Sequence, residues 1–316
     1  MGILRVRHLT TYSYARPVRF GEHRLMFRPR DSQEQRLLSA ELKVSPEPVD
    51  VSWIHDVFGN CITNVGFDTP AEQLRFETEI VLDHSSQLVP RFRTEERAKL
   101  WPFEYDPDIL PDLAPFMRVH NPSAELEAWA RMFTRAGLET ETGHLLMTMT
   151  MGIRESFAYS RRTDPGTQSP QFTLKARKGT CRDFAWLMIE ACRCLGLAAR
   201  FVTGYIYVPW RDGLALRGGG ATHAWVQVFL PGAGWVEFDP TNGIVGNKDL
   251  IRVGVAREPK QARPLIGSFA GDQGDYLGMT VQVNVTSLNP TSRQRGGATS
   301  SSTRNAANGT PDLRLP

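Results

Sequence analysis

The stretch GTCRDFAWLMIEACRCLG, residues 179–196, predicts an amphipathic helix with a cysteine at its start. Its apolar residues recur at helical spacing and are expected to form one buried stripe: Phe184, Leu187, Met188, Ala191 and Leu195. Gly196 is typical of the residue that ends a helix. Cys181 therefore stands at a helix N-terminus, where unpaired backbone N–H groups and the helix dipole favour a negatively charged thiolate.

The elements on either side of this helix predict an α+β layout. Upstream, one helix is expected from Asn121 as N-cap to Gly137, and another over residues 143–156. Downstream, apolar and alternating runs predict strands over residues 199–208, 223–230, 234–239, 250–256 and 279–286. We expect helices packed on an antiparallel sheet, forming a core over residues 122–289.

The N-terminal part has a different pattern, because apolar and polar residues alternate with a period of two. Two such runs begin at Leu38 and at Leu74. They predict a β-sandwich-like domain over residues 1–83, joined to the core by a proline-rich linker over residues 84–121. The last segment, residues 290–316, is rich in Ser, Thr, Gly and Asn, and is expected to be a disordered tail.

Composition and charge exclude several classes of partner. The 316 residues carry a net charge of +3, which is too small to indicate a nucleic acid or an anionic membrane as partner. No apolar run approaches the roughly 20 residues of a membrane span, and the first residues lack a secretory signal. We expect a soluble, cytoplasmic protein. The sequence does not predict its oligomeric state.

The four cysteines, Cys61, Cys181, Cys192 and Cys194, lack the repeated pairs of a disulfide scaffold or a zinc knuckle. Cys192 and Cys194 lie two residues apart on the predicted helix, so their side chains point to different faces and cannot grip one metal ion. The sequence therefore predicts free thiols, no metal site and no cofactor.

Two polar residues on neighbouring predicted strands are candidates to act together with Cys181 in catalysis. His223 opens one predicted strand and Asp239 closes the next, with a turn around Gly232 between them. If that turn holds an odd number of residues, both side chains lie on one face of the sheet, one diagonal step apart. An aspartate that orients a histidine, which in turn takes a proton from a thiol, is the arrangement of a nucleophilic triad. Taken singly, each residue has an ordinary structural role; the combination favours catalysis.

The chain resembles the bacterial transglutaminase-like proteins, whose core is related to the papain-like fold. The resemblance rests on GTCRDFAWL at 179–187, ARFVTGYIY at 199–207, HAWVQVFLPGAGWVEFDPTNG at 223–243, and the β-rich N-terminal half. It covers nearly the whole chain except the tail. It implies that Cys181 is the nucleophile, His223 the general base and acid, and Asp239 the orienting carboxylate.

The resemblance leaves the substrate and the acyl acceptor open. It implies attack on a carboxamide or on a peptide or protein substrate, with a thioester on Cys181 that is passed to an amine or to water, so transglutaminase, protease, amidase and deamidase outcomes all remain. The alternative is a non-catalytic module of the same fold that binds a peptide. Trp225 and Tyr205 are assigned to the substrate cleft as a hypothesis, since core packing is the ordinary role of such aromatics.

Two further residues close to Cys181 in the sequence, Asp183 and Lys175, bear on how the site would work. Asp183 is expected to cap the helix rather than to react, because an acidic side chain in the first turn is stabilised there. Papain-like proteases place a glutamine six residues before the nucleophile as an oxyanion donor, and this chain has Lys175 there. This departure leaves the backbone N–H of Cys181 as the one donor that the sequence identifies.

Overall fold

The computed structural model describes residues 2–85, 93–160, 166–207, 221–247 and 249–288. The tail predicted for residues 290–316 lies outside the described residues. In the described ranges the chain is a mixture of helices and antiparallel sheets, as the α+β prediction requires. No helix in these ranges combines the length and the apolar character needed to cross a membrane.

The N-terminal region consists of strands, as the two-residue alternation predicts. They are β1 (Gly2–Phe20), β2 (His23–Leu25), β3 (Gln35–Ser45), β4 (Asp50–His55), β5 (Cys61–Gly66) and β6 (Ala71–His84). On β6 the apolar residues of one face are completely buried, including Leu74, Phe76, Ile80 and Leu82. Burial of every second residue fixes the register of a strand, since a slip by one residue would expose the whole apolar set.

The segment predicted as a proline-rich linker contains secondary structure and packs on the core. It includes a 3-10 helix (Glu96–Ala98), strand β7 (Leu100–Trp101) and helix α1 (Leu110–Met117). Trp101 Nε1 donates to the carbonyl of Leu195 at 2.8 Å. The Tyr105 hydroxyl donates to the carbonyl of Phe229 at 3.0 Å. The expectation of a linker over 84–121 is therefore wrong for this part, because its aromatic side chains bury against the core and satisfy backbone groups there.

The core begins with helices interleaved with very short strands. They are α2 (Ala124–Arg131), β8 (Thr140–Glu141), α3 (Thr142–Ser156), β9 (Ala158–Tyr159), α4 (Pro170–Ala176), β10 (Lys178–Gly179) and α5 (Cys181–Cys194). The N-cap of α2 is Ser123, whose hydroxyl accepts from the backbone N–H of Leu126. The prediction of Asn121 as cap was wrong, because the helix begins at Ala124, and the backbone N–H of Asn121 donates to buried Glu190 at 2.7 Å.

The remaining strands follow α5. They are β11 (Ala199–Ile206), β12 (His223–Leu230), β13 (Gly234–Asp239), β14 (Ile244–Val245), β15 (Leu250–Ala256), β16 (Leu265–Ile266), β17 (Phe269–Ala270) and β18 (Tyr276–Ser287). Five of them form an antiparallel sheet in the order β14-β13-β12-β11-β15. The alternate residues Ala224, Val226, Val228 and Leu230 of β12 share one buried cluster with the apolar residues of α5. The helix therefore lies on one face of this sheet.

The last strands return to the N-terminal domain. β18 pairs antiparallel with β1, from Leu4 opposite Ser287 to Tyr14 opposite Tyr276. It joins the sheet β17-β1-β6-β3, which faces a second sheet in the order β16-β2-β5-β4. The predicted strand at 279–286 exists, but the expectation that residues 122–289 form one core needs correction. Pattern alone specifies a strand and not the partner with which it pairs.

Candidate active site

Cys181 is the first residue of α5, and a polar network fixes the turn that precedes it. Asp183 Oδ2 accepts from the backbone N–H of Thr180 at 2.8 Å and from its hydroxyl at 2.9 Å. Asp183 Oδ1 accepts from the backbone N–H of Gln168 at 2.7 Å. The predicted capping role of Asp183 is confirmed. Its side chain joins Gln168, in the segment before α4, to Thr180 at the start of α5. The backbone that carries the Cys181 thiol is therefore held in place by this network.

His223 and Asp239 lie next to each other, because the turn between their strands has an odd number of residues. Leu230 pairs with Gly234, which leaves a turn of three residues between β12 and β13. His223 Nε2 lies 2.8 Å from Asp239 Oδ2, and both side chains are completely buried. The pairing register therefore places both side chains on the same face of adjacent strands, and a neutral imidazole in this position donates from Nε2 to the carboxylate.

Asp239 receives two further hydrogen bonds from the turn that follows it. The backbone N–H of Thr241 donates to Oδ1 at 2.9 Å, and Asn242 Nδ2 donates to Oδ2 at 2.8 Å. Burial by itself raises the pKa of Asp239, but the charge of His223 and these hydrogen bonds outweigh it, so the pKa lies below its usual range. The sequence analysis missed Asn242; the signal was its place three residues after the carboxylate, in a Pro-containing turn.

The imidazole of His223 favours its charged form. Burial lowers the pKa of His223, but the charge and hydrogen bond of Asp239, together with Cys181 nearby, raise it to about 10. The second ring nitrogen, Nδ1, is buried and has no hydrogen-bond partner among the described residues. With Nε2 held by Asp239, Nδ1 is the atom that remains for the thiol of Cys181. The structure thus brings together the three residues of the predicted triad.

The two aromatic residues assigned to the substrate cleft are packed inside the protein. Tyr205 is 1% exposed, and its hydroxyl lies 3.0 Å from Nδ1 of His8 on β1. Trp225 is 0% exposed; its ring stacks against the His223 ring, and its Nε1 donates to Glu237 at 3.1 Å. The cleft assignment is therefore wrong for both. Tyr205 lies at the interface between the core and the N-terminal domain, and the ring of Trp225 packs against the imidazole of His223.

A cavity of about 310 Å³ opens beside the start of α5. Its lining includes Gly179 and Asp183, on either side of Cys181 in sequence, and the exposed ring of Phe172 on α4. Lys175, which stands where papain-like proteases have glutamine, is exposed on α4 and does not line this cavity. The chemistry available here is a thiol at a helix start with a charged imidazole beside it and open space nearby.

Two parts of the chain match models of known protein families. Residues 4–83 match the bacterial transglutaminase-like N-terminal region, and residues 128–240 match the transglutaminase-like superfamily. An uncharacterized protein of Mycobacterium tuberculosis is 26% identical over 289 residues, covering 88% of this chain and 91% of its own. An uncharacterized protein of Mycobacterium leprae is 25% identical over 283 residues, covering 89% of this chain and 98% of its own.

The fold is shared with a solved structure. A proposed cysteine protease of Cytophaga hutchinsonii superposes with a TM-score of 0.67 at 21% sequence identity, covering 91% of both chains. At that identity the likeness establishes the architecture and leaves the chemistry to the residues. The first matched region contains β2 to β5 and most of β1 and β6, and the second contains Cys181, His223 and Asp239. Over residues 4–83 the chain is therefore similar to the bacterial transglutaminase-like N-terminal region, and over residues 128–240 to the transglutaminase-like superfamily.

Proposed function

We propose that the protein catalyses acyl transfer from a carboxamide or peptide carbonyl through a thioester on Cys181. The single observation that carries this proposal is the arrangement around His223. Its Nε2 is bound to Asp239 at 2.8 Å, while its Nδ1 is buried without a partner among the described residues. A buried polar atom without a hydrogen bond costs free energy, so its retention beside a thiol favours a catalytic role.

The charge balance of the site suits a thiolate and imidazolium pair. Asp239 holds His223 in its protonated form, and the imidazolium together with the N-terminus of α5 stabilises a thiolate at Cys181. The thiolate attacks the carbonyl carbon, and the negative charge moves to the oxygen. The backbone N–H of Cys181 is one donor that can bind this oxyanion.

Collapse of the tetrahedral intermediate breaks the bond to the leaving amine, which takes the proton of His223 and departs. The neutral imidazole then removes a proton from the acceptor, water or an amine, as that acceptor attacks the thioester. Departure of the Cys181 thiolate and transfer of the acyl group complete the cycle, with His223 protonated again. Which acceptor is used depends on how well the cleft excludes water and seats an amine.

The test is intact mass spectrometry after incubation with a mixed library of peptides and primary amines. The expected result is an adduct on the protein whose mass equals the acyl fragment, absent from Cys181→Ala, with amide or acid product that accumulates in the supernatant. Cys61→Ala is the matched control and should form the same adduct as the unaltered protein. A Cys181→Ala protein that still forms the adduct would exclude this thiol as nucleophile.

A further inference from the structure

A second cavity, of about 200 Å³, lies where the N-terminal domain meets the edge of the core sheet. Three guanidinium groups line it: Arg30 from the N-terminal domain, Arg200 at the start of β11 and Arg252 on β15. Asp31 is the one carboxylate in the lining, and its Oδ1 accepts from the backbone N–H of Leu37. The cavity is therefore lined by more positive than negative side chains.

The walls of this cavity are held rigidly by two amide side chains of the N-terminal domain. Asn60 donates to the carbonyl of Val255 at 2.7 Å and accepts from its N–H at 2.9 Å. Gln35 binds Arg252 in the same way, at 2.8 Å to its carbonyl and 2.9 Å from its N–H. Each amide thus fixes both backbone groups of one residue on β15. The β15 wall of the cavity is therefore fixed before a ligand binds, which lowers the cost of ordering this wall on binding.

The arginines in this cavity have unused hydrogen-bonding capacity. Arg200 donates from Nε to Gln227 at 2.8 Å and stacks on Trp235 at 4.0 Å, and its terminal nitrogens have no acceptor among the described residues. Arg30 makes a single long contact, 3.5 Å to the carbonyl of Phe58. Neither has a carboxylate partner within the described ranges. A guanidinium group has five N–H donors, so most of the donors of these two groups remain free.

The third guanidinium group, that of Arg252, forms an ion pair with a carboxylate that does not line the cavity. Arg252 Nη1 lies 3.0 Å from Glu237 Oε1, and Glu237 also accepts from Trp225 and Gln227. The pKa of Arg200 is lowered to about 9, first by burial and then by the charge of Arg252, with Glu237 opposing and Arg30 adding a smaller decrease. Asp31 and Glu237 together leave one of the three cations without a matching negative charge, which an added anion would supply.

We propose that this cavity binds a small oxyanion, which is a carboxylate or a phosphate group. Guanidinium groups bind both in the same way, with paired N–H donors directed at two oxygens. Arg30 lies on one domain and Arg200 and Arg252 lie on the other, so an anion bound by all three bridges the two domains. The cavity shares no lining residue with the triad, and binding is measurable whether or not Cys181 is catalytic.

The experiment is isothermal titration calorimetry of the full chain with sodium phosphate and, separately, with sodium acetate. Sodium chloride keeps the ionic strength constant in both titrations. We expect saturable binding at one site for at least one of the two anions, and the anion that binds identifies the ligand class. Arg30→Ala should weaken this binding about tenfold, because one charge-assisted contact is lost. Arg30 is exposed and makes one weak contact, so its removal should leave the melting temperature unchanged.

Arg36→Ala is the matched control, since Arg36 is exposed on the same domain and does not line the cavity. It should bind the anion as the unaltered protein does. Arg252→Lys, which keeps the charge and loses the paired donors, should also bind more weakly. Absence of saturable binding for both anions would overturn the proposal, as would equal losses in Arg30→Ala and Arg36→Ala, which would assign the effect to overall charge.

Discussion

Nε2 of His223 and Oδ2 of Asp239 lie 2.8 Å apart, and neither side chain has any surface exposed to solvent. A charge buried without a partner costs several kcal/mol, so a buried carboxylate and a buried imidazole stabilise each other's ionised forms. The pair therefore carries its charges whether or not substrate is present.

Substitutions in the triad should have unequal effects on turnover. Cys181→Ala removes the atom that carries the acyl group and should abolish covalent turnover. His223→Ala removes both proton transfers and should cost nearly as much, because residues that act as a unit give non-additive losses. Asp239→Asn keeps the size and loses the charge, and should lower the rate by roughly 10³- to 10⁴-fold. Single-turnover kinetics measures each effect, with circular dichroism as the check that the fold survives.

Full activity of Asp239→Asn beside an inactive Cys181→Ala would contradict this division of roles. That result would mean that another group orients His223, although the β12 and β13 register leaves Asp239 as its hydrogen-bonded carboxylate.

Asn242 is expected to act as a positioning residue. Its amide donates to Asp239 Oδ2, the same oxygen that His223 binds, at 2.8 Å. Asn242→Ala should lower the single-turnover rate about 10- to 100-fold, because a hydrogen bond to a charged group is lost. It should also raise the pKa of Asp239, whose charged form the amide stabilises, which a purely structural role would not do. Asn284→Ala, an exposed asparagine on β18, is the control and should change neither quantity.

The ring of His223 should titrate far above the other buried histidines. Its pKa is raised to about 10, whereas burial lowers the pKa of His8 to about 4 and lowers those of His23 and His84. NMR of the imidazole nitrogens at pH 8 should therefore find His223 charged and these three neutral. Because the folded pKa exceeds the unfolded value, the stabilisation from protonated His223 is complete below about pH 6.5 and is lost as pH rises through about 10. A neutral His223 ring at pH 8 would contradict the ion-pair account.

Local pattern was sufficient to predict the parts of the fold that depend on neighbouring residues. The helix that begins at Cys181 and the capping role of Asp183 both follow from short stretches of sequence. The sequence made the triad geometry conditional on an odd number of residues in the turn between β12 and β13, since the parity of this turn decides on which face each side chain lies, and the register gives three.

The sequence pattern did not predict which distant strands pair or where single aromatic residues lie. Nothing in the apolar alternation of β18 distinguishes β1 from a core strand as its partner, yet the two pair along most of their length. Tyr205 is apolar on its ring and polar at its tip, so a cleft and a domain interface suit it equally until His8 is seen at 3.0 Å. Prolines in 84–121 indicated a linker because they interrupt periodicity, whereas Trp101 and Tyr105 anchor that segment on the core.

Cys181 should react with iodoacetamide at pH 7 at least about tenfold faster than the other three cysteines, because it has the thiolate stabilisation of a helix N-terminus. Burial raises the pKa of Cys192 to about 12 and that of Cys194 to about 11, so both remain thiols. Cys61 is partly exposed and is the real competitor. Peptide mapping after partial labelling gives the four rates. Equal labelling of Cys61 and Cys181 would remove the nucleophile assignment.

A buried ion pair on α5 stabilises the core. Glu190 and Arg193 form a completely buried ion pair at 2.8 Å on α5. Glu190 also accepts from the backbone N–H groups of His120 and Asn121, which anchor the segment before α2. Glu190→Ala would leave a buried guanidinium and two backbone donors without their partner, and should lower the free energy of unfolding by about 3–5 kcal/mol.

Chemical denaturation measures this loss, and the exposed pair between Glu127 and Arg131, one turn apart on α2, supplies the control. Glu127→Ala should cost at most about 0.5 kcal/mol, since solvent screens both charges. Similar losses for the two variants would mean that the buried pair is no more important than a surface pair. A large loss confined to Glu190→Ala would instead establish that this carboxylate holds the incoming segment against the helix that presents Cys181.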